Sequence, residues 1–396
     1  MNPPHRRWQA VRISSTPQQL AELDPTLESV AAAVEDVPAL LAAANEAGKS
    51  APKPGGGATA RLWELLASVA SIDVAAGRIL EPHLDAGAIL SQAGKADSFT
   101  GTWGVFAAEA PGTRLAAQPG DQLGEPLGDQ QRDQSGGHPG GVRLTGSKPW
   151  CSLAQFVDHA VVTAHTATGG RAAFAVDLRD AGVTCTDPEW TSRGLREIPS
   201  GTVHFDRVAA VPLGDDGWYF QRPGFAWGGM GVAACWLGGA VALGRYFKAA
   251  LIRGAQAQRK PDQVALAGLG EVDRILTSTS QYLARAAELI DGGRPGSVDA
   301  PPAQAQAEQA EQAQAEAGGG PAAGAWSEAL RVRGTVAAAV ERVQLLVSQN
   351  LGPGPLAFDD RYGKCMADLS LYVRQHHAMR DDAQLGALTL KGEHPW

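Results

Sequence analysis

Two adjacent imidazoles, His376 and His377, stand in the run Tyr372-Val-Arg-Gln-His-His-Ala378, with Asp381 and Asp382 a turn or so beyond. Histidine titrates near neutrality, so His376 can take up or release a proton under physiological conditions. The same pair can also be satisfied polar residues on a C-terminal helix. Trp150 offers a large, flat, mostly apolar face for a ring to stack on, and Ser152, two residues further on, faces the same side of a strand. With ten tryptophans in the chain, Trp150 can equally be core, and Ser152 an ordinary solvent-facing residue. The guanidinium of Arg253 suits bidentate phosphate contacts. It also suits a helix C-terminus, where the dipole favours a cation. The run Trp227-Gly-Gly-Met-Gly231 opens a helical pattern. Its glycines permit near backbone approach, so Trp227 and Gly229 can lie beside a substrate, or the glycines can serve tight helix packing. The run follows no strand of a βαβ unit and is not a nucleotide fingerprint.

The elements that must position these groups follow from two changes of period. Leu62, Leu66, Val69, Ile72 and Ala76 recur at helical spacing, with a Pro- and Gly-rich break at Ala51 to Gly57. Short β-branched runs then follow: Thr102 to Phe106, Val142 to Thr145, His159 to Ala164, Ala172 to Asp177 and Thr202 to Val208. With no helices between them, they predict an antiparallel sandwich or barrel, not a parallel βαβ sheet. After Pro223 the helical period returns, with Val232, Trp236, Ala240, Leu243, Phe247 and Leu251 on one face, and later Val332, Val336, Val340, Val343 and Val347 on another. The expected fold class is α+β and multi-domain. It comprises an N-terminal helical domain (1–98), a middle antiparallel β-domain (99–222) and a C-terminal helical bundle (223–396). A Gly-, Gln- and Asp-rich stretch (117–141) is expected as a mobile loop, and 292–324 as a low-complexity insertion.

Composition narrows the function. A formal net charge of −8 among 396 residues leaves no basic footprint for nucleic acid. The four cysteines (Cys151, Cys185, Cys235, Cys365) are scattered and form no CxxC, which argues against a zinc site and a disulfide framework. Early charges without an apolar h-region argue against a signal peptide. The longest apolar stretch, Val232 to Leu251, is interrupted by Gly238, Gly239, Gly244 and Arg245, too mixed to predict a membrane span. The expected location is the cytoplasm.

Three words occur in order along this architecture: Phe106-Ala-Ala-Glu-Ala-Pro-Gly-Thr113, Leu144-Thr-Gly-Ser-Lys-Pro-Trp150 followed by Cys151-Ser152, and Ser200-Gly-Thr-Val-His-Phe-Asp-Arg-Val208 before Val211-Pro212. In this order the chain resembles the acyl-CoA dehydrogenase superfamily over residues 60–390. The resemblance implies FAD as cofactor, with Trp150 and Ser152 beside the flavin ring and Glu109 in the acidic position of a Thr-Glu-Pro loop. It implies that Arg253 reaches the pyrophosphate in a neighbouring subunit. Glu81 and His83, in Arg78-Ile-Leu-Glu-Pro-His83, would lie near the active-site entrance, or else form a charged helix face. It further implies an acyl-CoA or related substrate, an electron-transfer partner or oxygen, and a homodimer or homotetramer.

The pattern departs at the chemistry. The family's base is a Glu near the C-terminal end, or at the start of the first bundle helix. Here His376 stands at the first position, and Trp227 to Met230 contain no acid. Ala108 replaces the Thr of the Thr-Glu-Pro loop. The expected function is FAD-dependent removal of a proton and a hydride from adjacent carbons of an acyl thioester, with His376 in place of the Glu base; the alternatives are a flavin monooxygenase of the same fold and a non-catalytic subunit of an acyl-CoA dehydrogenase-like assembly.

Overall fold

The computed structural model describes residues 8–120, 141–186, 190–292 and 321–392, the side chains of 321–323 excepted. Most of the expected loop over 117–141 and of the insertion over 292–324 lies outside the described residues. The helices are α1 (Pro17–Ala21), α2 (Asp24–Ala32), α3 (Val37–Gly48), α4 (Thr59–Ile72) and α5 (Val74–Gln92). Seven strands follow: β1 (Trp103–Phe106), β2 (Leu115–Pro119), β3 (Val142–Ser152), β4 (His159–His165), β5 (Arg171–Asp177), β6 (Val183–Cys185) and β7 (Ser200–Leu213). Helices α6 (Trp218–Gln221), α7 (Pro223–Gln256), α8 (Gln263–Ile290), α9 (Pro321–Leu351), α10 (Pro353–Phe358), α11 (Asp360–Tyr372) and α12 (Met379–Leu390) complete the chain.

These elements sort into two compact units. The helical unit comprises Met1–Leu84, Thr191–Glu197 and Pro223–Trp396, and the β-unit comprises Asp85–Trp190 and Ile198–Arg222. The cuts between them fall at 84/85, 190/191, 197/198 and 222/223. The first falls inside α5, because that helix runs unbroken from one unit into the other.

The sheet is ring-like and mixed. β2, β3, β7 and β5 pair in succession, β5 pairs with β4, and β4 meets β2 again, so the strands close on themselves. The antiparallel expectation needs correction where β4 meets β1 and β2, since it runs parallel to both. β1 runs parallel to β4, in register from Trp103↔His159 to Phe106↔Val162. The chain reverses from β2 to β3 and again from β3 to β4, so β4 runs in the same sense as β2 and β1. The expected loop also starts later than predicted, because Leu115–Pro119 pairs with β3. At the other insertion, Pro321 already begins α9.

The helical unit is organised on α7. Its most apolar window is long enough to cross a membrane, but 72% of that window is buried inside the fold. Two adjacent glycines set its packing distance. A Cβ at Gly238 would stand 2.1 Å from the Ala67 carbonyl oxygen of α4, and one at Gly239 would stand 2.7 Å from Leu369 of α11. Helix α4 is capped from a distance: Asp291 accepts from the Gly57 and Thr59 amides and from the Thr59 hydroxyl (3.1, 2.9 and 2.6 Å). Its Glu64, 1% exposed, accepts the amides of Ile13, Ser14 and Ser15 at 2.8 Å each, pinning the N-terminal segment.

Buried Lys364 on α11 ties the remaining pieces. Its ammonium meets Asp73 (2.8 Å), Glu197 (2.8 Å) and Asp368 (2.7 Å); burial lowers its pKa, but Asp73 and Asp368 outweigh that and raise it. Asp368 also accepts the Leu195 amide at 2.6 Å, which anchors Thr191–Glu197 to the helices. Replacing one partner of a buried cluster leaves the others uncompensated. Lys364→Met is therefore expected to lower stability by about 3–5 kcal/mol, read as a fall in urea midpoint at constant slope.

Candidate functional site

In the β-unit, the strand that carries Trp150 is held by a charged network. Lys148 is 1% exposed and donates to Glu109 Oε1 (2.7 Å) and Thr163 Oγ1 (2.9 Å). Glu109 also pairs with Arg171 (3.0 Å) and His165 (3.2 Å). Burial alone would raise the Glu109 pKa, but Lys148, His165 and Arg171 outweigh it and hold the carboxylate below its ordinary range. The carboxylate of Glu109 is thus engaged by β-unit side chains.

Immediately beyond Lys148 the β3–β7 register shifts. Lys148 faces Val203 and Cys151 faces Gly201, so β3 carries one extra residue. The bulge puts Trp150 at φ 58°, a left-handed conformation that is strained for a bulky residue, and leaves its indole 59% exposed. Trp150 is therefore not β-domain core. Ser152 is half-buried, and its hydroxyl shares a 2.8 Å hydrogen bond with that of Ser200. Cys151 is buried, and burial pushes its thiol pKa up, as it does for Cys185, Cys235 and Cys365. None of these thiols is primed as a nucleophile.

In the helical unit, His376 follows a short 3₁₀ turn, Val373–Gln375, and precedes α12. It is 9% exposed. Ala378, at φ 50°, makes the sharp bend into α12. Asp381, in the first turn of α12, lies 3.7 Å from His376 Nε2 and accepts from the His377 amide (3.1 Å) and Nδ1 (3.2 Å). On the other side stands a residue that the sequence reading did not single out. Arg333 of α9 donates to the Gly229 carbonyl (2.9 Å) and the Gln375 carbonyl (2.5 Å), with its guanidinium 5.0 Å from the Trp236 ring centroid. Burial lowers the His376 pKa below its ordinary value and Arg333 acts in the same direction, against the raising influence of Asp381 and Asp382. The ring is neutral at pH 7.

The structure brings His376, Arg333 and Gly229 together. Glu81 is 9% exposed, 3.7 Å from Arg78, and its charge acts on Arg333 and Tyr372, so it is not an exposed helix face. His83 is fully buried, with burial lowering its pKa to about 4. Trp227 is half-buried, and its ring occupies the space beside Gly55. Arg253 lies apart, exposed in the last turn of α7 and 5.8 Å from the Tyr246 ring. Arg333 escaped notice because it adjoins the valine face of α9 and reads as a flanking surface charge. The glycine that follows it, Gly334, in mid-helix, was the available signal. Among the described residues, no group of three His, Cys, Asp or Glu is placed to hold a metal ion.

No protein-family model matches the chain, and no curated protein matches it. Solved structures do. TdsC from Paenibacillus sp. A11-2, in complex with FMN and indole, aligns with a TM-score of 0.69 at 16% identity over 96% of this chain and 98% of that one. Butyryl-CoA dehydrogenase from Megasphaera elsdenii aligns with a TM-score of 0.69 at 16% identity over 96% and 100%. The chain has the acyl-CoA dehydrogenase fold. A nitrososynthase from Micromonospora carbonacea var. africana shares it, with a TM-score of 0.64 at 17% identity over 93% of both chains.

These surroundings make a test possible without any ligand. Followed by NMR, His376 is expected to titrate below 6.5. Arg333→Gln should raise its pKa and Asp381→Asn should lower it further. Shifts of the opposite sign would mean that these charges do not act on the ring.

Proposed function

We propose that the chain is a flavin-dependent oxidoreductase in which His376 handles the proton and molecular oxygen is the co-substrate. The observation that carries this reading is an imidazole, neutral and flanked by Arg333, where the acyl-CoA dehydrogenase resemblance expects a carboxylate base. Abstraction of a thioester α-proton would turn His376 into an imidazolium in a site where burial and the Arg333 guanidinium both oppose that charge. Donating or accepting a hydrogen bond as a neutral ring carries no such cost. The nearest carboxylate, Asp381, already accepts two hydrogen bonds from His377. The same fold carries a dibenzothiophene monooxygenase as well as a butyryl-CoA dehydrogenase.

The β-unit fits a flat ring system. The Trp150 indole is a large apolar face left exposed by a strained backbone, a conformation persisting where the surroundings over-determine it. Trp150 would supply stacking area, and the Ser152 hydroxyl a hydrogen bond at the ring edge. A flavin supplies the electron-transfer chemistry. The protein's own residues would orient it and, at His376 Nε2, hold the proton. Arg253 would serve a pyrophosphate, which FAD has and FMN lacks. The proposal extends to a cytoplasmic homodimer or homotetramer acting on a small molecule, with acyl-thioester dehydrogenation as the alternative reaction.

Purified protein is expected to bind FMN or FAD, and chromatography of the released cofactor decides which. Trp150→Ala should weaken that binding about tenfold or more, from lost stacking, while leaving thermal stability within about 1 kcal/mol of wild type. His376→Gln should keep flavin affinity but lower turnover on the order of a hundredfold. Wild-type turnover should fall as pH drops through the depressed His376 pKa. Failure to bind either flavin at any concentration would refute the enzyme reading and leave the fold.

A further inference from the structure

The imidazole of His376 presents a buried nitrogen to a gap. Its Nε2 has no hydrogen-bond partner, and the residue is more than nine-tenths buried. Beside it, α9 carries glycine at position 334. A Cβ built there would stand 3.6 Å from His376 Nε2, 3.9 Å from Cε1 and 3.6 Å from Asp382 Oδ1. These are ordinary contact distances, so a methyl group fits without displacing anything. Glycine within a helix is less favourable than alanine, and nothing in the packing at this position demands it. The missing side chain does one thing: it leaves space between an unsatisfied imidazole nitrogen and a carboxylate oxygen. Both atoms stand 3.6 Å from that one position, and a carboxylate accepts only. An O–H group fits that pair, donating to Asp382 and sharing a hydrogen bond with Nε2.

We infer that Gly334 keeps the Nε2 side of His376 open, and that an O–H group, from a water or a substrate hydroxyl, is held there between His376 and Asp382. This rests on His376 being the proton-handling residue, and extends it by naming the niche and the glycine that creates it. Gly334 acts as a positioning residue. Its side chain touches nothing that reacts, and its smallness admits what does.

Gly334→Ala tests the inference in the opposite direction from an ordinary site mutation. Its thermal midpoint should equal or exceed that of wild type, because alanine favours the helix and the methyl fits. The Nε2 resonance of His376 should differ from that of wild type, in the unliganded protein if water is the occupant and in the substrate-bound protein if a substrate hydroxyl is, because the methyl takes the occupant's place. Turnover should fall on the order of tenfold or more. Asp382→Asn, at an exposed position, should shift the same resonance without loss of fold. In wild type, a nuclear Overhauser effect between water and the His376 ring C–H protons should be seen if water fills the niche. A perturbation of Nε2 appearing only on adding a hydroxyl-bearing substrate would identify the substrate as its occupant. A drop of several degrees in midpoint, or failure to fold, would show that the space is not there. An Nε2 resonance that Gly334→Ala leaves unchanged, both without substrate and with a hydroxyl-bearing substrate added, would show that the niche holds nothing. If His376→Gln abolishes turnover while Gly334→Ala leaves it intact, this inference falls alone. If His376→Gln is fully active, the proton-handling reading falls, and the midpoint and resonance still judge the niche.

Discussion

The guanidinium of Arg333 reaches from the middle of α9 to two backbone carbonyls in separate segments, Gly229 near the start of α7 and Gln375 just before His376. Hydrogen bonds from a charged donor contribute about 1.5–3 kcal/mol each, and more is lost when a partner is stranded out of water. The connection into α12 is an irregular stretch with a strained residue, Ala378, and would not by itself hold an imbedded ring in one orientation. Arg333 supplies that constraint from one side and Asp381 supplies it from the other. The same guanidinium fixes the chemistry, because its charge helps keep His376 neutral. Position and protonation state therefore have a common cause.

The β-unit solves a comparable problem with different means. A bulge turns Trp150 outward, and the residue two positions before it is locked by the most enclosed ion pair of the sheet segment, Lys148 with Glu109. Lysine is rarely fully buried unless paired. The pairing with Glu109 and the hydrogen bond to Thr163 let β3 carry that charge inward, against the like charge of Arg171, and still place a strained, exposed tryptophan next to it. In both units a buried cation sits close in sequence or space to the group proposed to act.

Much of this was legible in the sequence, and the failures have physical reasons. The change from helical to alternating period located most strands and the long bundle helices, since burial of one face leaves its period in the residue order. Strand β2 was missed because Leu115-Ala-Ala-Gln-Pro119 has neither alternation nor β-branched residues and is a strand through pairing with β3. The parallel β1–β4 edge was invisible because pairing direction is a property of the chain's path. His376, Trp150, Ser152 and Gly229 came from residue type and resemblance. Arg333 matters only through what it faces, which no linear pattern records; Asp382 was visible as a nearby carboxylate, but not its place opposite Gly334. Glu109 shows the same limit from the other side: its type and position suggested a cofactor contact, while the folded chain engages it with Lys148, His165 and Arg171.

The most direct test of the central claim is an anaerobic visible spectrum of the flavin-loaded protein, taken before and after adding a panel of acyl-CoA thioesters. A neutral His376 held beside Arg333 predicts that the flavin absorbance stays unchanged with every thioester. Bleaching by any of them, abolished in His376→Gln, would show that the imidazole does act as the α-proton base. The oxygen-dependent reading would then be wrong.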